Sequence, residues 1–204
     1  MGGARLLLLR HTAVSARHAG RCYGRTDAGL SAEGMATARQ LAAALANVRF
    51  DFVFASPSRR TRVLAMRISA HLGAPMRIDQ RLAERWFGSW EGRSWNDIWA
   101  EEGDGMNGMI DAPGSYRPGG GETTVELADR VLDWFRAIPA GNAVVAATHG
   151  GPIAALAGTL QGLLPRQWLG YIPAPGKGLW IEPRASGWRI TPWPVPDCGA
   201  NARG

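Results

Sequence analysis

The amino-acid sequence predicts an α/β protein, a three-layer α/β/α sandwich with a mostly parallel central sheet. Short continuous apolar runs, typical of strands buried on both faces, alternate with longer segments in which apolar residues recur at helical spacing. Strands that alternate with helices in this way favour a parallel sheet covered on both sides. The length of 204 residues fits one domain, because a typical domain has roughly 150 residues.

The N-terminal part of the chain predicts one strand, a loop and one helix. The apolar run from Arg5 to Leu9 predicts a buried strand, and the polar, turn-rich stretch as far as Gly29 predicts a long loop. Ser31 is a suitable N-cap for the helix that follows. The apolar positions of this helix recur close to every 3.6 residues as far as Leu45.

Two short strands flank the second predicted helix. Residues 52–55 (FVFA) predict a buried strand, and Ser56 and Pro57 then start a helix whose Leu and Ile residues recur at a spacing of four. Gly73 ends this helix, and residues 76–78 predict a third strand. The next segment, up to a run of three glycines, is less regular.

The C-terminal half begins with a strong helix signal. Thr123 and Glu126 form a capping-box pattern that opens a helix, and Pro139 ends it. A buried strand is expected next, at residues 143–147. An apolar helix follows the turn at 148–152 and reaches about residue 163, and residues 179–182 and 188–191 predict a closing hairpin. We therefore expect a single domain over residues 1–191 and a poorly ordered C-terminal tail over residues 192–204.

Composition and charge narrow the class of protein. Hydrophobic residues make up 46% of the chain and charged residues 20%, as in globular proteins. The net charge is +6, and all but one of the 23 basic residues are Arg, which suits phosphate or nucleic-acid recognition. The arginines are scattered among acidic residues without a basic stripe or tail. We therefore expect no nucleic-acid partner, and nucleic-acid binding is the least favoured alternative.

The sequence further predicts a cytoplasmic protein without a membrane partner. Cys22 and Cys198 are too few for a disulfide framework. The N-terminal run of four Leu before Arg10 is too short for the core of a signal peptide, and no run approaches the roughly 20 apolar residues that cross a bilayer. The sequence does not indicate an oligomeric state.

The chemistry is expected where two strands end. His11 follows the first strand and His149 follows the fourth, and ligands of open α/β sheets bind at the carboxyl ends of strands. If these strands are neighbours, both imidazoles lie in one crevice, with Arg10 and Arg60 close by. Arginines and the helix N-terminus at Gly150 both favour anions. This combination predicts a pocket for a phosphate-sized dianion.

A histidine nucleophile is the simplest chemistry for such a pocket. A neutral imidazole can attack phosphorus directly, and surrounding arginines keep it neutral because they disfavour the imidazolium. The chain contains neither a P-loop nor an acidic cluster spaced for magnesium. We therefore expect no metal ion and no cofactor, and a small phosphomonoester as the partner.

Four strings of residues together resemble the histidine phosphatase superfamily, whose fold is phosphoglycerate mutase-like. They occur in the order of that family and extend over most of the chain, at residues 9–12 (LRHT), 55–60 (ASPSRR), 82–92 (LAERWFGSWEG) and 148–151 (THGG). The resemblance implies a phosphomonoesterase that works through a phosphohistidine. Thr12 stands where the family commonly has Gly, a change that removes no charged group.

The resemblance also implies the catalytic residues. It makes His11 the phosphorylated nucleophile, and it makes Arg10, Arg60 and His149 the groups that bind the phosphoryl oxygens. It makes Glu84 the proton donor to the leaving oxygen and, later, the base for the attacking water. An acid is needed at this place because an alkoxide leaves poorly unless it is protonated.

The substrate is the least determined part of the prediction. Residues 10–12, with 22–27 (CYGRTD), resemble α-ribazole 5′-phosphate phosphatases of cobalamin synthesis more than mutases. The spacer of 28 residues, 93–120, is shorter than the corresponding insertion in similar mutases; a shorter lid admits water, which favours hydrolysis. The candidate substrate-binding residues are Thr12, Tyr23, Gly24, Thr26 and Gly150.

Several alternatives stay open. A broad phosphatase of sugar or nucleotide phosphates is the next candidate, followed by a phosphoglycerate mutase and a non-catalytic phosphate-binding protein. For the Trp residues of the segment 86–99 the sequence leaves two alternatives: they pack in the core, or they contact the substrate. An aromatic base could stack on a Trp face, but Trp95 and Trp99 are also spaced to share one face of a helix.

Overall fold

The central sheet has six strands in the order β3-β2-β4-β1-β5-β6. The computed structural model describes residues 3–193. The first four strands in chain order are parallel, and the last two form an antiparallel hairpin on β1. The strands are β1 (Arg5–Arg10), β2 (Phe52–Ala55), β3 (Met76–Ile78), β4 (Ala143–Thr148), β5 (Gly178–Pro183) and β6 (Trp188–Trp193).

Helices cover both faces of the sheet, which confirms the predicted α/β/α sandwich. They are α1 (Ala32–Ala44), α2 (Arg59–Leu72), α3 (Trp95–Glu102), α4 (Gly108–Asp111), α5 (Thr124–Arg136), α6 (Gly150–Leu160) and α7 (Pro165–Trp168). The side chains of β1 alternate between two cores, as the pleat requires. Leu6 and Leu8 pack with α5 and α6, whereas Leu7 and Leu9 pack with α1 and α2.

The register of β1 against β4 positions the candidate histidines. The two strands are adjacent and parallel, with Arg10 opposite Thr148 in the last pair. Each strand ends at the same edge of the sheet, so the residues that follow them emerge side by side. The neighbourhood of these strands was the assumption on which the predicted crevice depended, and the structure confirms it.

A third, smaller core lies under the irregular segment that contains the Trp residues. Cys22, Trp90 and Ile98 are buried there, with Phe87 and Trp95 packed against them. Trp90 is therefore a core residue, while Trp86 and Trp99 are 46% and 53% exposed. The small core joins the loop after β1 to α3 and so forms one wall above the carboxyl edge of the sheet.

The boundaries of three predicted segments differ from the structure. The sheet extends past residue 191, because Pro192 and Trp193 pair with β5. Proline lowers the strand signal, yet it is tolerated here because β6 is an edge strand. Helix α6 ends at Leu160, earlier than predicted, and the rest of the predicted tail, residues 194–204, lies outside the described residues.

Between residues 3 and 193, each helix is too short or too polar to cross a membrane.

Candidate active site

His11 is the first of two buried imidazoles at the carboxyl edge of the sheet. Its backbone N–H donates to the carbonyl of Thr148, and the residue is only 2% exposed. Nδ1 lies 2.8 Å from the carbonyl oxygen of Thr12 and must carry the proton, because a carbonyl only accepts. The lone pair is therefore on Nε2. Burial and the charges of Arg60 and Arg10 lower the pKa of His11 to about 3, so the ring is neutral at neutral pH.

His149 is the second imidazole, and its ring centroid lies 5.3 Å from that of His11. Its Nε2 lies 2.7 Å from Oγ of Ser56. That oxygen also accepts from the backbone N–H of Ser58 at 3.4 Å. Nδ1 of His149 is buried and has no partner among the described residues. Burial and the charge of Arg60 hold the pKa of His149 well below its ordinary value.

Two arginines complete the positive surroundings of the imidazoles. Arg10 donates from Nη1 to the carbonyl of Pro173 at 2.9 Å. Arg60 is fully buried and donates from Nη1 to the carbonyl of Thr26 at 2.8 Å and from Nη2 to that of Gly24 at 2.6 Å. Nε of Arg10 and Nε of Arg60 are both buried, and neither has a partner within residues 3–193. These two N–H groups can donate to the oxygens of a tetrahedral oxyanion.

Glu91 fixes the loop that holds Arg60 in place. Its carboxylate accepts from the backbone N–H groups of Arg25 and Thr26, both at 2.9 Å, and from the hydroxyl of Thr26 at 2.8 Å. These bonds orient the carbonyls of Gly24 and Thr26 toward the guanidinium. Sequence analysis did not identify Glu91 or the serine that contacts the second imidazole. Their only signal was their place in the strings at 55–60 and 82–92.

Glu84 lies in the same cavity as the first imidazole. Its carboxylate accepts from the backbone N–H of Arg85 at 2.9 Å and from that of Gly151 at 3.5 Å. Its carbonyl accepts from Arg130 at 3.1 Å, and Arg130 pairs with the buried Glu122 through two bonds of 2.6 and 2.8 Å. A two-bond ion pair fixes orientation as well as distance. The carboxylate is therefore held beside the start of α6.

The site opens into a cavity of about 510 Å³. Its lining includes His11 and Glu84, together with three predicted substrate-binding residues, Tyr23, Gly24 and Gly150. The Tyr23 ring lies 6.3 Å from the ring of His11 and 5.1 Å from Cζ of Arg60. The tyrosine ring thus lies close to both the nucleophile and the buried arginine.

The other two predicted substrate-binding residues do not line this cavity. The hydroxyl of Thr12 donates to the carbonyl of Gly34 at 2.7 Å and so attaches the end of β1 to α1. The hydroxyl of Thr26 donates to Glu91. Both hydroxyls are therefore engaged in bonds that support the site from behind, and substrate binding by Thr12 and Thr26 stays a prediction.

The arginines that line the cavity, Arg10, Arg21 and Arg85, are suited to anions. A guanidinium group carries positive charge and only donates hydrogen bonds. Within the described part of the chain, no group of three or more His, Cys, Asp or Glu residues is placed to hold a metal ion. Independence from metal stays a prediction for the assays below.

Comparison with known proteins agrees with this geometry. A family model, histidine phosphatase superfamily (branch 1), matches residues 6–195. A glucosyl-3-phosphoglycerate phosphatase of Mycolicibacterium vanbaalenii is 31% identical over 93% of both chains. The solved structure of a mycobacterial glucosyl-3-phosphoglycerate phosphatase with VO3 is 28% identical, with a TM-score of 0.80 over 93% of this chain and 98% of that one.

A more distant structure shows the same fold. The α-ribazole phosphatase from Shigella flexneri is 24% identical, with a TM-score of 0.76 over 91% of this chain and 95% of that one. These neighbours confirm the phosphoglycerate mutase-like fold expected from the resemblance. Since the family model covers most of the chain and a relative exceeds 30% identity over nearly all of it, the chain belongs to the histidine phosphatase superfamily and is an enzyme of that class.

Proposed function

We propose that this enzyme hydrolyses phosphomonoesters through a phosphohistidine at His11. One observation carries the proposal: the neutral imidazole of His11, with a free Nε2, lies close to Arg10, Arg60 and His149, and each of these has a buried nitrogen without a partner among the described residues. A buried polar group without a partner is costly, and the oxygens of a bound phosphoryl group would accept from the arginine N–H groups. The arrangement therefore favours an anion with several oxygens.

The first step transfers the phosphoryl group to the enzyme. The lone pair on Nε2 of His11 forms a bond to phosphorus while the bond from phosphorus to the alcohol oxygen breaks. Glu84 gives its proton to that oxygen, and the alcohol leaves. The arginines stabilise the charge on the equatorial oxygens, and removal of one such donor typically raises a barrier by about 3 to 4 kcal/mol.

The second step returns the enzyme to its starting state. Water attacks phosphorus, and the carboxylate of Glu84 accepts a proton from it. The bond between phosphorus and Nε2 breaks, and its electron pair returns to the imidazole of His11. The products are one alcohol and one inorganic phosphate per turnover, and the step requires water at the site rather than a second acceptor alcohol.

The test is turnover of phenyl phosphate in the presence of EDTA. We expect hydrolysis with EDTA present, no turnover by His11→Ala, and unchanged turnover by His71→Ala, whose ring is exposed on α2. Rapid quenching should yield an acid-labile phosphoryl group on His11. Activity that requires added metal, or full activity of His11→Ala, would refute the mechanism. Phosphate binding without turnover would favour the non-catalytic alternative.

For the physiological substrate we propose α-ribazole 5′-phosphate, supported by the sequence strings at 10–12 and 22–27. Glucosyl-3-phosphoglycerate is the second candidate, because the relative and the neighbouring structures described above carry that activity in their names. Comparison of kcat/KM for the two compounds and for 3-phosphoglycerate distinguishes them. Conversion of 3-phosphoglycerate to its isomer, without release of phosphate, would instead indicate a mutase.

A further inference from the structure

The part of the cavity beyond the phosphoryl site is mostly apolar. This outer compartment is formed by side chains from α3, α4, α7 and the turn after α7, namely Trp95, Trp99, Met109, Trp168, Leu169 and Ile172. Building on the proposed function, we infer that the outer compartment selects phosphomonoesters whose alcohol carries a large, flat apolar group. Trp99 of α3 and Leu169, which follows α7, are then specificity-determining residues.

Exposure at the mouth of the cavity supports this inference. Trp99 is 53% exposed, Leu169 is 58% exposed and Ile172 is 42% exposed. A single exposed apolar side chain is ordinary, but several around one opening form a patch of the kind that marks a binding site. A substrate that covers these side chains removes their apolar surface from water and gains affinity in proportion to the area buried.

Several polar side chains of the cavity wall are engaged with the protein. Arg85 donates to the hydroxyl of Thr124, and that hydroxyl donates to the carbonyl of Met109. Arg21 donates to the carbonyl of Gly92 at 2.8 Å. These bonds leave fewer groups to pair with the many hydroxyls of a sugar, and a hydroxyl that stays unpaired lowers affinity. An aromatic group needs no such partners.

The wall also carries positive charge. Arg21 and Arg85 line the cavity, and Glu84 is the only carboxylate among the described residues that line it. A substrate with its own carboxylate would pair with these arginines instead of using the apolar wall. The two possibilities predict opposite preferences, so a carboxylate-bearing substrate belongs in the test.

The experiment compares three primary alkyl phosphates, so that the leaving groups are chemically alike. These are naphthylethyl phosphate, glycerol 1-phosphate and 3-phosphoglycerate. We expect the highest kcat/KM for naphthylethyl phosphate. Trp99→Ala should lower that value by roughly 2- to 10-fold, the range of an aromatic contact, and leave glycerol 1-phosphate unchanged. Leu169→Ser should act in the same direction.

Trp86→Ala is the matched control, since this Trp is 46% exposed but its side chain does not line the cavity. Trp86→Ala should change kcat/KM for neither naphthylethyl phosphate nor glycerol 1-phosphate. Equal kcat/KM for the large and small alcohols, a preference for 3-phosphoglycerate, or equal effects of Trp86→Ala and Trp99→Ala would overturn the inference. If a phosphohistidine forms without such selectivity, the inference alone fails; if none of the three is hydrolysed and no phosphohistidine forms, the proposed function fails as well.

Discussion

The two buried imidazoles predict that the fold loses stability as the pH falls from 7 to 5. Unfolded histidine binds a proton near pH 6.5, whereas folded His11 does so only near pH 3. His149 is shifted in the same direction. Between these values the unfolded chain binds more protons than the folded one, so the free energy of unfolding decreases as the pH decreases. For His11 the loss begins near pH 6.5 and ends near pH 3.

The size of the effect follows from the shift. Each pH unit below 6.5 costs about 1.4 kcal/mol for a histidine that stays neutral when folded. At pH 5, His11 alone therefore lowers the free energy of unfolding by about 2 kcal/mol, and His149 adds to the loss in the same direction. This is a large part of the 5 to 15 kcal/mol that typically stabilises a domain.

Urea denaturation followed by Trp fluorescence at pH 7, 6 and 5 measures this dependence. His11→Gln should flatten the slope of unfolding free energy against pH by about 1.4 kcal/mol per unit below pH 6.5, and His149→Asn should flatten it in the same direction. His71→Gln, which changes an exposed ring, should retain the slope of the wild type. Parallel slopes for all four proteins would mean that the imidazoles are not held neutral, and the argument for a neutral nucleophile would fail.

Two further predictions concern the groups that position the site. Ser56→Ala should lower kcat/KM by about 10- to 100-fold, because the second imidazole loses a buried hydrogen bond worth about 1 to 3 kcal/mol; Ser69→Ala, on the far side of α2, is the control, and equal rates would refute the role. Gly151→Ala should lower kcat without unfolding the protein, because the new methyl group would displace the proposed acid; Gly29→Ala, with open space around its Cβ, should leave kcat unchanged.

Much of the fold could be predicted from patterns that are local in sequence. The continuous apolar runs at β1 and β4 are long enough to identify doubly buried strands, and the capping box at Thr123 marks the start of α5. The short helices α4 and α7, of four residues each, were not predicted. A single turn gives no periodic signal, so only tertiary packing determines it.

In the candidate site, too, some features follow from the local sequence, and others depend on contacts between residues that are far apart in the chain. The approach of the two imidazoles follows from strand order alone, because each residue directly continues a strand. The contacts of Ser56 and Glu91 join residues 93 and 65 positions apart and depend on how loops pack. Thr12 and Thr26 illustrate the same limit, since a hydroxyl next to a catalytic string can donate into the cavity or into the scaffold.

The supports of Arg60 connect the stability of this enzyme to its chemistry. Among the described residues its guanidinium forms no ion pair, and it is held instead by two carbonyls and the face of Tyr23. Burial lowers the pKa of Arg60 although Glu84, Asp27 and Glu91 act in the opposite direction, so its charge is unfavourable in the folded protein and is offset elsewhere, in part by the Glu91 bonds that fix the carbonyls. The same positive charge attracts a phosphoryl dianion and, together with burial, keeps His11 neutral. The buried charge of Arg60 therefore lowers the stability of the protein without substrate and also prepares the site for an anionic substrate.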